Sequence, residues 1–229
     1  MDLATIAQAL SVWFLPVIVA ITFHEAAHGW MAERCGDQTA RLLGRVSFNP
    51  IRHIDPFGTL LLPALLLLLK APFLFGYAKP VPVNFGRLRH PKRDMIWVAL
   101  AGPAANVLLA FAAALLLHPA AYVPAALAPW IGENLANAIF INVVLAVFNM
   151  LPVPPLDGGR VLTGLLPHSA AWRFARLEPY GLVILIGLLF LVPVGAQSLF
   201  GIEFNPMLEL LWPPIVGLYS LILNLTGLS

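Results

Sequence analysis

The chain has 229 residues, 60% of them hydrophobic and only 10% charged, with a formal net charge of +2. Soluble domains carry about a quarter charged residues, so this composition excludes a soluble globular fold and predicts an all-α polytopic membrane protein. The small positive balance gives no reason to expect a nucleic-acid partner, because the basic residues fall in short loops, and the single cysteine, Cys35, excludes an internal disulfide and a cysteine-rich metal site.

The first apolar run covers about residues 3–32. It lacks the basic start and small-residue cleavage site of a secretory leader, so it reads as a span. Within it lies His24-Glu25-Ala26-Ala27-His28. On a helix, positions i and i+4 share a face. Two imidazoles so placed can bind one zinc ion, with the intervening glutamate beside the metal as a general base. Ionisable side chains inside a membrane are expensive and mark function. A polar patch buried between helices, or a proton-relay site in a transporter, is the competing reading.

Residues 41–55 follow, with short strand-like pieces, then a proline-containing apolar run over 57–77 and a basic, proline-rich stretch over 79–94. Further spans are read at about 95–117, 134–151, 179–194 and 206–225, with Pro152–Arg160 (PVPPLDGGR) after the third of these five clear spans, giving five to six in all. There is no repeat and no soluble module, so 1–229 is one membrane-embedded unit with a core over about 1–165 and two accessory C-terminal spans.

Basic residues give the orientation, because Lys and Arg concentrate in short cytoplasmic loops. Arg34, Arg41, Arg45 and Arg52, then Lys79, Arg87, Arg89, Lys92 and Arg93, then Arg160, Arg173 and Arg176 all fall on one side if 57–77 does not cross. That run is therefore expected to be a re-entrant or interfacial hairpin, with a short β-like part, as is tolerated when protein covers it. The N-terminus is then outside, and the plasma membrane is the expected location. Segments 42–49 and 78–84 could offer an edge for strand addition by an extended substrate.

A catalytic zinc needs a third protein ligand. His53, His90 and His168 lie in loops, and His118 lies at the far end of its span. His24 is about ten residues before Arg34, or roughly 15 Å below that surface at 1.5 Å per residue. Asp157 follows prolines 152, 154 and 155, which break the helix. It sits on the same side of the membrane as the end of the first span, so an unwound segment could carry it to His24 and His28. Its competing reading is a helix cap, since Asp before Gly-Gly is common turn chemistry. Gly102, Pro103 and Asn106 are read as packing support, and His53 as a satisfied loop histidine.

Three motifs in order, HEAAH, AGPAAN and NMLPVPPLDGG, resemble the site-2 protease family of intramembrane zinc metallopeptidases. The connecting GRVSFNPIRHIDPFGT and GYAKPVPVN resemble its compact prokaryotic branch, without the PDZ or CBS domain of other members. The resemblance extends to about Arg160. It implies one zinc per chain on His24, His28 and Asp157, Glu25 as the catalytic glutamate, and Asn149 as a contact to substrate backbone or oxyanion. It further implies a zinc endopeptidase acting on membrane-protein substrates with a transmembrane segment, in regulated intramembrane proteolysis. A metal-ion or proton transporter, and a client-binding protein without catalysis, are the alternatives.

Overall fold

The structure is a computed structural model and describes residues 3–61, 65, 78–120, 122–201, 203, 205 and 207–228. Its principal helices are α1 (Leu3–Arg34), α2 (Pro91–Ala120), α3 (Ala128–Asn149), α4 (Asp157–Leu165), α5 (His168–Ala175) and α6 (Trp212–Thr226). Among the described residues, four helices are long and apolar enough to cross a membrane: Ala7–Arg34, Pro91–Ala120, Ala128–Asn149 and Glu209–Thr226. This agrees with an all-α membrane fold.

Local chemistry sets the helix ends. α1 stops where Gly36 adopts φ 113°, and Asp37 N–H returns to Ala32 O at 2.9 Å, which satisfies a terminal carbonyl. α2 opens on Pro91, whose missing N–H costs nothing in a first turn, and Asp94 reaches back to accept the His90 N–H at 2.8 Å. α3 ends at Asn149, before the prolines at 152, 154 and 155.

α2 is the central helix and packs against α1, α3, α4 and α6. Its small residues Ala110, Ala113 and Ala114 are buried against Ile139 and Val143 of α3 and Ile215 and Ile222 of α6. Small side chains let backbones approach, which is the principal packing device where lipid is as apolar as leucine. Asparagines add polar ties. Asn137 donates to Val12 O at 3.1 Å, and Asn106 donates to Ala20 O at 3.2 Å. Outward positions such as Phe14, Leu108 and Leu221 are exposed and apolar, as a lipid-facing surface requires.

These contacts fix helix direction. Ser11 of α1 meets Trp130 of α3, while His28 meets Val98 of α2. So α1 and α3 run the same way, α2 runs opposite, and α1 and α3 end on one side, as the charge pattern predicts. α6 runs parallel to α2: Leu211 lines a groove with Trp97 and Leu100, and at the other end His118 Nε2 donates to Thr226 O at 2.7 Å. The chain therefore leaves α3 and re-enters at α6 on the same side. The expected span at 179–194 is helical from Gly181 onward, within a helical run that extends to Phe200. Gly181–Ile186, Gly187–Leu191 and Val192–Phe200 follow one another without a break, with right-handed helical φ and ψ at Ile186, Gly187, Leu191 and Val192. Gly181 lies directly on the Pro154 carbonyl.

The expected hairpin over 57–77 lies almost wholly outside the described residues; its described beginning is a helical turn, Pro56–Leu61. The β-like expectation for 42–49 and 78–84 is corrected, since no strand forms among the described residues. Thr39–Leu42 is a helical turn closed by Gly44 at φ 64°, a left-handed conformation that ends any extended run. Segment 78–84 is non-helical, and its described hydrogen bonds go to scattered side chains and loops rather than to a neighbouring strand.

Candidate metal centre

α1 carries His24 and His28 on its buried face, one turn apart, and both imidazoles are more than nine-tenths buried. Their Nε2 atoms lie 3.0 Å apart. Asp157 Oδ2 lies 3.2 Å from His24 Nε2 and 3.3 Å from His28 Nε2. Three ligand atoms from distant parts of the chain thus converge on one point.

Zinc bonds of about 2.0–2.1 Å in a tetrahedron would place neighbouring ligand atoms about 3.3–3.4 Å apart, close to these three separations. The hydrogen bonds behind the imidazoles fit as well. Asn106 commits its amide nitrogen to Ala20 O and to Asn142 Oδ1 at 2.7 Å, so its oxygen faces His24 Nδ1, at 2.6 Å. His28 Nδ1 faces Val98 O at 2.7 Å. An acceptor behind each Nδ1 places the proton there and leaves Nε2 for a metal, the usual arrangement behind ligating histidines. Asp157 Oδ2 is buried and accepts no hydrogen bond among the described residues. A buried carboxylate oxygen without a donor, beside two imidazole nitrogens, fits a cation.

Glycines bring the pieces this close. A Cβ on Gly102 would strike His28 Nε2, and would sit 2.6 Å from His28 Cε1 and 2.7 Å from His24 Cε1. The α2 backbone at Gly102 is therefore one wall of the site, and nothing larger than hydrogen fits. A Cβ on Gly158 would strike Met150 O and Leu151 O, and one on Gly159 would come within 2.8 Å of Pro154 N. The Gly-Gly pair thus seats the first turn of α4 on the proline-rich loop. That seating presents Asp157, the first residue of α4, to the histidines. Asp157 does not cap the helix: Leu156 stands at the cap position, with no side-chain hydrogen bond.

Glu25 is half-buried beside the histidines, and its Oε2 accepts the Val81 N–H at 2.7 Å. The structure turns Asn149 back onto its own helix, where its amide nitrogen donates to Leu145 O at 3.0 Å. His53 is buried in its loop, with Nε2 facing Ser47 O at 2.8 Å. His118 ties α2 to α6 at the far end.

Asn106 and Gly102 were expected as packing support. Both do support the fold, and both also touch the histidines: Asn106 through its oxygen on His24 and Gly102 through its bare Cα. The sequence signal was their spacing: Gly102 and Asn106 are one turn apart on α2, as His24 and His28 are on α1. Val98 O and Val81 N–H are backbone groups and leave no residue-type signature. Asn106→Leu should therefore weaken zinc binding about 10–100-fold, read by competition with a fluorescent chelator, while the helices stay assembled.

The family model for peptidase family M50 matches residues 12–127 and 125–194. A Bacillus subtilis protein named "Putative zinc metalloprotease YwhC" is 37% identical over 214 residues, covering 91% of this chain and 90% of that one. A Mycobacterium tuberculosis (strain H37Rv) protein named "Putative zinc metalloprotease Rip2" is 32% identical over 191 residues, covering 82% of this chain and 69% of the relative. A Methanocaldococcus jannaschii protein named "Putative zinc metalloprotease MJ0611" is 48% identical over 65 residues, 28% of this chain and 31% of the relative. No solved structure matches the chain.

Proposed function

Because the chain belongs to peptidase family M50, we propose that this zinc metalloprotease hydrolyses peptide bonds in or beside the transmembrane segments of other membrane proteins. The observation that carries this reading is depth. His24 lies ten residues before the end of α1, roughly 15 Å along the helix, which is mid-depth in a hydrocarbon core about 30 Å thick.

Bound zinc would supply a Lewis acid that acidifies water and polarises a carbonyl. His24, His28 and Asp157 would hold it, with Asn106 and Val98 O aiming the two imidazoles. Glu25 takes a proton from the attacking water as the C–O bond forms, then gives it to the amine that leaves as the C–N bond breaks. Asn149 is proposed to contact the substrate backbone or the oxyanion, for which its amide must release Leu145 O.

The proposed setting is regulated intramembrane proteolysis at the plasma membrane. Basic loops after α1, before α2 and after α3 support a cytoplasmic-side active site and an outside N-terminus. Conduction of ions or protons is disfavoured by the asparagines: Asn106, Asn137 and Asn142 each donate to backbone carbonyls or to one another, so they fasten helices rather than line a path.

The test is cleavage of a single-span peptide reconstituted with the protein in liposomes. Its span should carry a Gly-Asn pair, because a helix keeps its carbonyls engaged and glycine weakens it by about 1 kcal/mol. Cuts inside or next to the span are the expected result. Cuts confined to a soluble flank would overturn the intramembrane reading and leave a membrane-bound peptidase of soluble substrates.

A further inference from the structure

Segment 78–84 passes the active site as a strap, and its polar groups are committed to specific partners. Lys79 N–H donates to His53 O at 3.0 Å. Arg45, itself buried, donates through Nη2 to Lys79 O at 2.6 Å and to Pro80 O at 3.5 Å. Asn84 N–H donates to Asp37 Oδ2 at 2.6 Å. Asp37 is fully buried in its loop, and burial alone would raise its carboxyl. Hydrogen bonds from Thr39 and from the Asn84 N–H, with Arg87 nearby, outweigh burial and hold it below the ordinary value. The strap is thus fastened at both ends.

Between the fastenings lies Pro80-Val81-Pro82. Proline has no N–H and fixes φ near −65°. Val81 therefore carries the one backbone donor of these three residues, on a stiffened stretch, and that donor meets Glu25 Oε2 at 2.7 Å. The Val81 side chain is buried against Gly29, where an added Cβ would be 3.1 Å from Val81 Cγ1 and 3.0 Å from Val46 Cγ2. So α1 offers a seat for the strap one residue beyond His28.

We propose that the Val81 N–H, presented by the Arg45-clamped strap, is a positioning group that aims the Glu25 carboxylate. One oxygen of Glu25 is engaged, and the other, which accepts no hydrogen bond among the described residues, is available to the reacting water. This rests on Glu25 as the proton acceptor. A general base works only within hydrogen-bond reach of its proton, and a misplacement of about 1 Å can cost about 100-fold. A half-buried glutamate without such a partner would sample several rotamers.

The test compares Val81→Ala, which keeps the N–H, with Val81→Pro, which deletes it, each in wild-type and Glu25→Gln backgrounds, on the liposome peptide. Expected is a fall of about 10–100-fold in kcat for Val81→Pro, with KM and zinc content unchanged, and a clearly smaller fall for Val81→Ala, which keeps the N–H and only thins its seat on Gly29. In the Glu25→Gln background Val81→Pro should cost nothing further, because a group acting through Glu25 has nothing left to aim. Equal kcat for the two Val81 variants would overturn the proposal. So would zinc loss, a KM effect, or an additive loss in the Glu25→Gln background, each of which marks a merely structural strap. Hydrogen exchange at the Val81 amide gives a readout independent of turnover: Glu25→Ala should speed it, and unchanged protection would also overturn the contact. If Glu25→Gln alone stays fully active, the proton-acceptor reading itself has failed, separately from the strap.

Discussion

Glu25→Gln should hold as much zinc as the wild type and cut the liposome peptide at least about 10²–10⁴-fold more slowly in kcat. The reasoning is atomic. Glu25 is not among the three converging ligand atoms, so metal binding does not need it. Glutamine is isosteric, and its amide oxygen can still accept the Val81 N–H that Glu25 Oε2 accepts. What glutamine lacks is the ability to take the proton from water and return it to the leaving amine. Paired metal analysis and steady-state kinetics check this. Loss of zinc in Glu25→Gln would mean that the carboxylate helps to hold the metal, and the division of roles on α1 would be wrong.

Gly102→Ala should remove zinc binding through a single added methyl group. The added carbon would strike His28 Nε2 and come within 2.7 Å of His24 Cε1. Those atoms cannot yield easily. Each imidazole is pinned from behind, His24 by Asn106 and His28 by Val98 O, and both rings are buried. Relief would require α2 to move away from α1, against the packing of Asn106 on Ala20 O. Overpacking of this kind typically costs 1–3 kcal/mol even in ordinary cores. Here the strain falls on the two metal-facing nitrogens, whose spacing must suit one ion. Chelator competition should show zinc affinity reduced by far more than the 10–100-fold expected for Asn106→Leu. Gly132 on α3 has open space around its missing Cβ, so Gly132→Ala is the matched control and should bind zinc normally.

Much of this centre was legible in the sequence because its parts are local patterns. His24, Glu25 and His28 announce themselves by helical spacing in an apolar run. Asp157 followed from charge asymmetry and parity: α1 and α3 end on the same side, and the structure bears that out. The role of Gly-Gly after Asp157 was not legible, because it depends on the proline-rich loop lying against the first turn of α4. Nor was the side on which α6 begins, which only contacts between distant elements such as His118 with Thr226 reveal. The strap contact with Glu25 was hidden for a third reason. It is made by a backbone N–H, and sequence shows only that prolines on both sides leave Val81 the sole donor there.

The most direct measurement of the central claim is zinc per chain, by elemental analysis of protein purified under zinc-replete conditions, for the wild type and Asp157→Ala. Asp157 is the ligand that sequence separation places farthest from the α1 motif, so it tests the folded site as a whole. About one zinc per chain in the wild type and close to none in Asp157→Ala is the result expected for a three-ligand site. Zinc held equally by both proteins, or by neither, would contradict a metal centre built from His24, His28 and Asp157.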